Sequence, residues 1–153
     1  MKNTLYHIAA ALLVLIASSC QKEKEDNFDY QTYVVGEWHF ASEKYDADIY
    51  LSFTADESFD LYQKVGDGPY RHYRGGWAAD KDILSGTYSD GTPWGSTYKM
   101  TFSGTDAMTL TAQNESKETA DYIRESVPAS VKDNAVVKSS PRMLNSQPQY
   151  RWL

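Results

Sequence analysis

The 153-residue sequence contains a single cysteine, Cys20, and few histidines, so several kinds of site are excluded at the outset. A lone cysteine cannot form a disulfide within the chain, nor can it supply a cysteine cluster for zinc. Beyond position 19 only His39 and His72 remain as histidines, without the His-x-x-x-His spacing of a helical metal site. We therefore expect no metal and no cofactor.

Positive charge is also scarce, with 15 Lys and Arg against 21 Asp and Glu and a formal net charge of −6. A chain this acidic is expected to repel nucleic acid. It has no Gly-x-Ser-x-Gly elbow and no complete calcium-binding loop, so we expect no catalytic residues and a protein that is not an enzyme. The alternative left open is a pair of carboxylates that meet only in the folded structure, as in glycosidases.

The N-terminus has the layout of a secretory signal. Lys2 precedes an apolar run over 5–17, which is shorter than a typical membrane span, and small residues follow before Cys20. We interpret 1–19 as a signal peptide; a transmembrane anchor is the alternative. The stretch "ASSC" resembles the bacterial lipobox, which implies cleavage before Cys20 and lipidation of its thiol, with the membrane as a partner.

The residues after Cys20 are charged and predict a flexible, solvated tether over 20–32. The acidic residues at its start resemble the signal that sends some Gram-negative lipoproteins to the outer face of the outer membrane. The expected location is therefore the outer membrane, with the protein exposed at the cell surface.

The next hundred residues or so alternate between apolar and polar positions and are divided by turn-rich clusters. This pattern predicts eight β-strands, over 34–42, 47–54, 59–65, 70–79, 83–89, 97–103, 108–113 and 119–124. Short links favour an antiparallel up-and-down meander, and closure into a barrel would remove exposed edges. The predicted fold is therefore an all-β, eight-stranded barrel over 33–131, with a two-sheet sandwich as the alternative. One helical turn is expected over 127–134, within an otherwise irregular tail (132–153) whose end, Trp152 and Leu153, docks on the barrel.

The motif Gly36-Glu37-Trp38 at the first strand resembles the Gly-x-Trp motif of lipocalins, and more closely of bacterial lipocalin-like lipoproteins. Gly76-Trp77 and the stretch 120–131 are similar to the same group. The resemblance implies that Arg124 from the last strand lies across the Trp38 ring, with Gly36, Trp38 and Arg124 defining the fold rather than contacting a ligand. Lipocalins end in a longer helix on the barrel, which this sequence does not predict.

Aromatic residues are abundant: four Trp, five Phe and twelve Tyr. Alternation places Trp38 inside, together with a set that is either filled core or the lining of a ligand pocket: Phe40, Phe53, Phe59, Trp77, Tyr88, Tyr98 and Phe102. The run "PYRHYRGGW" (69–77) is either an outer strand face paired with acidic neighbours or a patch for an anionic or carbohydrate ligand.

These observations favour a lipid-anchored binding module of the cell envelope, which holds a small apolar or amphipathic ligand. The alternative is an accessory surface lipoprotein with a filled core, whose outer aromatic strands contact a protein or a glycan.

Overall fold

The computed structural model describes residues 28–141 and Leu153. The signal peptide, Cys20 and most of the predicted tether lie outside these residues. The described part contains two short helices, α1 (Tyr30–Val34) and α2 (Ala129–Asn134). Its strands are β1 (Gly36–Ser42), β2 (Ala47–Phe53), β3 (Ser58–Val65), β4 (Arg71–Asp80), β5 (Ile83–Tyr88), β6 (Tyr98–Ser103), β7 (Ala107–Ala112), β8 (Thr119–Arg124) and β9 (Val136–Val137).

The eight long strands close into a barrel. Each of β1 to β8 pairs antiparallel with its neighbours in sequence, and β1 also pairs with β8 through Trp38↔Arg124 and His39↔Ile123. The predicted fold class, an all-β meander closed into a barrel, is confirmed. The two-sheet sandwich is excluded because every one of these strands has two partners.

Strand alternation fixes which residues fill the barrel. In β7, for example, Met108, Leu110 and Ala112 are buried and the residues between them are partly exposed. The same period of two runs through the other strands, because successive side chains point to opposite faces of a sheet. Their inward residues form one continuous core.

The pairing is uneven around the barrel. The ladders within β1–β5 contain six or seven residue pairs each, and those within β6–β8 contain five or six. The two ladders that join these groups, β5–β6 and β8–β1, contain two pairs each. We call these two ladders the short seams.

The order of the strands gives the barrel two distinct ends. Helix α1 precedes β1, and the links after β2, β4 and β6 return to the same end, which we call the α1 end. The links after β1, β3, β5 and β7 lie at the opposite end, which we call the loop end. The longest of them, 89–97, follows β5.

The folded unit extends beyond the predicted bounds of 33–131 on both sides. Phe28 and Tyr30, in the predicted tether, pack against the Phe102 ring, with centroids 5.6 and 6.2 Å away. Aromatic side chains gain more by covering the α1 end than by remaining in water, unlike the charged residues before them. Residues 28–32 thus include two partly buried aromatic side chains, Phe28 and Tyr30, although the predicted tether covers them.

The predicted tail also contains regular structure. Helix α2 continues to Asn134, and β9 pairs in parallel with the start of β4 through Arg71↔Val136 and His72↔Val137. Leu153 is fully buried in the core, as predicted for the end of the tail, whereas Trp152 lies outside the described residues. Within residues 28–141 and Leu153, neither helix is long and apolar enough to cross a membrane.

Candidate functional site

Arg124 links three parts of the α1 end. Its guanidinium carbon lies 4.1 Å from the centre of the Trp38 ring. Its nitrogens donate hydrogen bonds to the carbonyl oxygens of Tyr33, Val35 and Thr105, all at 2.9–3.0 Å. Arg124 therefore holds the end of α1 and the β6–β7 turn against the barrel. This arrangement stabilises the fold and presents no ligand-binding group.

Gly36 is required by the same arrangement. Its φ of +136° is unfavourable for residues with a Cβ atom, and a Cβ there would overlap Arg124 Nη1. Trp38 is fully buried and its Nε1 donates to the Val34 carbonyl at 2.8 Å. The Gly-x-Trp motif thus has a direct physical explanation: glycine leaves room for the arginine that covers the tryptophan.

The barrel interior holds most of the predicted pocket residues. Five of them are buried in the main core: Phe53, Phe59, Trp77, Tyr88 and Tyr98. Phe40 and Phe102 are only partly buried and pack against this core from its margin. The structure therefore places five of these candidates together and two at the edge.

Three buried aromatic residues of the core were absent from the predicted set, namely Tyr73, Trp94 and Tyr122, and the tail residue Leu153 was absent as well. Alternation could have identified Tyr73 and Tyr122, because Tyr73 lies on the same face of β4 as Trp77 and Tyr122 lies on the same face of β8 as Arg124. Trp94 lies in the loop after β5, where alternation gives no signal. Leu153 is far from the strands in sequence, and only its apolar character pointed to a docked position.

Trp94 enters the barrel because Gly86 leaves space for it. A Cβ on Gly86 would overlap the Trp94 ring. The Trp94 amide donates to the Gly86 carbonyl at 3.0 Å, and the ring lies 5.0 Å from the Phe59 ring centre, edge to face. The loop after β5 thereby fills part of the β5–β6 short seam.

Two polar atoms in this interior lack hydrogen-bond partners among the described residues. They are the Tyr122 hydroxyl and Trp94 Nε1, and both are fully enclosed. Burial raises the pKa of Tyr122 far above its usual range, and the Tyr98 and Tyr88 phenols raise it further. Tyr88, Tyr98 and Tyr122 all belong to the buried core, and we call these three residues the phenol cluster.

A row of aromatic rings crosses the outer face of four strands. Paired positions on β1 to β4 carry His39, Tyr50, Tyr62 and His72 in register. His39 stacks on Tyr50 with centroids 4.3 Å apart, and His72 stacks on Tyr62 at 4.4 Å. Both tyrosines are buried in a second apolar cluster that also contains Val127 and, from α2, Val131.

Carboxylates flank both histidines, an arrangement the sequence did not reveal. His39 lies 2.7 Å from Asp48 and 2.8 Å from Glu125, and His72 lies 2.5 Å from Asp60. Alternation predicts that each Asp lies on the outer face of an adjacent strand, but only the pairing register brings it beside the histidine. Within the described part of the chain, no group of three His, Cys, Asp or Glu residues could hold a metal ion.

The basic run 69–77 divides between the two faces of β4. Tyr73 and Trp77 point into the core, Arg71 and Arg74 are exposed, and His72 bonds to Asp60. This pairing favours the outer strand face with acidic neighbours over an anion-binding patch.

Comparison with known proteins yields no family model and no curated protein that matches the chain. The fold alone therefore defines the class of this protein. It is a closed, eight-stranded antiparallel barrel with a buried aromatic core, and it is consistent with a calycin-like architecture.

Proposed function

We propose that this protein is a lipid-anchored binding module of the cell envelope, whose barrel holds a small apolar or amphipathic ligand. The observation that carries the proposal is the Tyr122 hydroxyl, which is enclosed in an aromatic interior without a partner among the described residues. A ligand that presents an acceptor oxygen there would pair it.

Buried polar groups in proteins are nearly always hydrogen-bonded, and leaving one unpaired costs about 1–3 kcal/mol. Binding sites for small molecules combine an apolar lining with a few convergent polar groups. The phenol cluster shares one core with apolar residues such as Phe59 and Leu110, and this combination fits that description. These features support a ligand with a polar end and an apolar body.

The membrane anchor rests on the sequence pattern around Cys20. Phe28, the first described residue, is eight positions further along and lies at the α1 end. An anchor on Cys20 would therefore hold the α1 end towards the membrane and leave the loop end facing away. This orientation would give a ligand free access to the loop end.

The alternative, contact with a protein or glycan through outer aromatic strands, has less support. Tyr50 and Tyr62 are the outward tyrosines on β2 and β3, and both are buried beneath α2. The ring faces that a glycan would stack on are thus covered.

Two tyrosine substitutions test the interior site. Tyr122→Phe should raise the stability of the ligand-free protein by about 1 kcal/mol, because it removes an unpaired buried hydroxyl. Tyr88→Phe should lower it by about 1 kcal/mol, because the Tyr88 hydroxyl donates to the Leu153 carbonyl. Urea unfolding measures both, and a destabilising Tyr122→Phe would show that its hydroxyl is already paired.

Ligand binding itself is tested with the neutral fluorophore N-phenyl-1-naphthylamine. Saturable binding, weakened when Trp77 is replaced by Gln, would support an interior site. Absence of saturable binding by the folded protein would favour the accessory role with a filled core.

The anchor is tested by Cys20→Ala in cells, followed by fractionation. We expect the substituted protein to leave the membrane fraction while its barrel remains folded, because the substitution lies outside the barrel. Retention on the membrane after a high-salt wash would contradict the lipid anchor.

A further inference from the structure

The three tryptophans among the described residues differ in how their indole N–H groups are paired. Trp38 Nε1 donates to the Val34 carbonyl at 2.8 Å, and Trp77 Nε1 donates to the Thr54 carbonyl at 3.2 Å. Trp94 Nε1 is fully enclosed and has no partner among the described residues. An indole nitrogen only donates hydrogen bonds, so the group that Trp94 lacks is an acceptor.

Aromatic side chains contact the Trp94 ring. Its centre lies 5.0 Å from the Phe59 ring centre, and 6.3 and 6.4 Å from those of Tyr98 and Phe53, each in an edge-to-face arrangement. Gly86 lies against the edge of the ring next to the N–H, because an added Cβ would be 2.4 Å from Cε2, the carbon bonded to Nε1. Among these neighbours, only Tyr98 has a polar side-chain atom.

An ordered water would be held poorly beside this N–H. Buried waters in proteins typically make about three hydrogen bonds. The ring neighbours of Trp94 offer the single hydroxyl of Tyr98. A ligand needs only one acceptor atom at this point, because its apolar body gains from burial against the aromatic rings. The surroundings of Trp94 therefore suit a ligand better than a water.

The β5–β6 short seam provides a route to the Trp94 ring. The seam contains two residue pairs, the second of which is Leu84↔Tyr98. Beyond Leu84, the Trp94 amide donates to the Gly86 carbonyl at 3.0 Å, so the loop 89–97 takes the place of a neighbouring strand. Opening this loop costs fewer backbone hydrogen bonds than separating two long strands. A ligand can thus reach the ring without breaking a long ladder.

We propose that Trp94 Nε1 donates a hydrogen bond to the ligand, and that the ligand carries a neutral acceptor oxygen, as in a ketone or an ester, attached to an apolar body. A charged acceptor is disfavoured because burying an ion among aromatic rings without a counter-ion is costly. This inference rests on the proposed binding function and adds a second polar contact to the one at Tyr122. Trp94 is then a specificity-determining residue of the interior site.

The experiment compares two probes that differ only at the acceptor. Acetophenone carries a ketone oxygen, and α-methylstyrene has a CH₂ group in its place. Both are titrated into the full chain while the indole N–H signals are followed by proton–nitrogen correlation NMR, and Trp→Phe variants assign the signals. Trp94→Phe removes the proposed donor. Trp38→Phe is the matched control, because the Trp38 indole is already paired with a backbone carbonyl.

We expect the Trp94 indole proton to shift downfield with acetophenone and not with α-methylstyrene, while the Trp38 and Trp77 signals respond alike to both probes. The ratio of the two affinities, ketone over hydrocarbon, should fall about threefold to tenfold in Trp94→Phe, the factor that one hydrogen bond supplies. The ratio should stay within about twofold in Trp38→Phe. The indole shift is measured in the unmodified protein, so it decides the question even where Trp94→Phe fails to fold.

The outcomes separate this inference from the binding function. Saturable binding of acetophenone with the same Trp94 shift as α-methylstyrene would overturn the inference and leave the binding function intact. Binding of N-phenyl-1-naphthylamine without binding of acetophenone would do the same. Absence of saturable binding of all three probes by the folded protein would overturn both proposals.

Discussion

The contact between Arg124 and Trp38 offers a test of how the barrel is closed. Arg124→Ala removes the stacking on the Trp38 ring, worth about 0.5–1 kcal/mol at an exposed site, and hydrogen bonds to three carbonyl oxygens. Because these bonds are solvent-exposed, we assign all of them together about 1–2 kcal/mol. The expected loss in the free energy of unfolding is therefore about 2 kcal/mol.

Trp38→Ala should cost more, about 3–5 kcal/mol, because the fully buried ring leaves a cavity. The double substitution should cost about 1 kcal/mol less than the sum of the single ones, because both remove the same stacking contact. Urea unfolding followed by far-UV circular dichroism measures all four proteins, since Trp38 is itself a fluorophore. Arg71→Ala, an exposed arginine on β4, is the control and should change stability by less than about 0.5 kcal/mol.

Strict additivity of the two substitutions would refute this reasoning. It would mean that the guanidinium stabilises the protein through its hydrogen bonds to the three carbonyl oxygens and not through the Trp38 ring.

Two further outcomes can be checked in the same unfolding assay. Gly86→Ala should destabilise the barrel by about 2–4 kcal/mol, because a Cβ would overlap the Trp94 ring. Gly76→Ala is the control and should cost under about 1 kcal/mol, because the nearest atom to its Cβ would be 3.6 Å away. Equal effects of the two substitutions would show that the Trp94 position does not depend on the missing side chain of Gly86. Burial and the hydrogen bond to Asp48 raise the pKa of Tyr70, so the stability linked to its neutral form is present below about pH 10 and is lost as the pH rises above it. The alkaline loss of stability should be smaller in Tyr70→Phe, and an identical pH profile would contradict this linkage.

Residues that obey strand alternation were predictable from the sequence. The bounds of β2 to β8 lie within one residue of the predicted ones, because each strand has one buried face and its register cannot slip without exposing it. The contact between Trp38 and Arg124 was predicted from the family resemblance. The two residues are 86 positions apart, and closure of the barrel brings them together because it pairs the first long strand with the last.

The remaining features depend on contacts that alternation does not encode. Trp94 sits in a loop rich in Gly and Pro, and its entry into the core depends on the missing side chain of Gly86. The His72–Asp60 pair depends on the register between β3 and β4, which periodicity alone leaves undetermined. Helix α2 is short and weakly patterned, so its place over Tyr62 is set by packing rather than by helix propensity.

The two short seams divide the barrel into two groups of extensively paired strands, which we call plates: β1–β5 and β6–β8. Each plate is a continuous ladder, while the joints between them contain two residue pairs each. Arg124 reinforces one joint and Trp94 fills the other, so both joints depend on side chains rather than on long backbone ladders. We therefore expect the barrel to open first along these two joints, where the fewest backbone hydrogen bonds connect neighbouring strands.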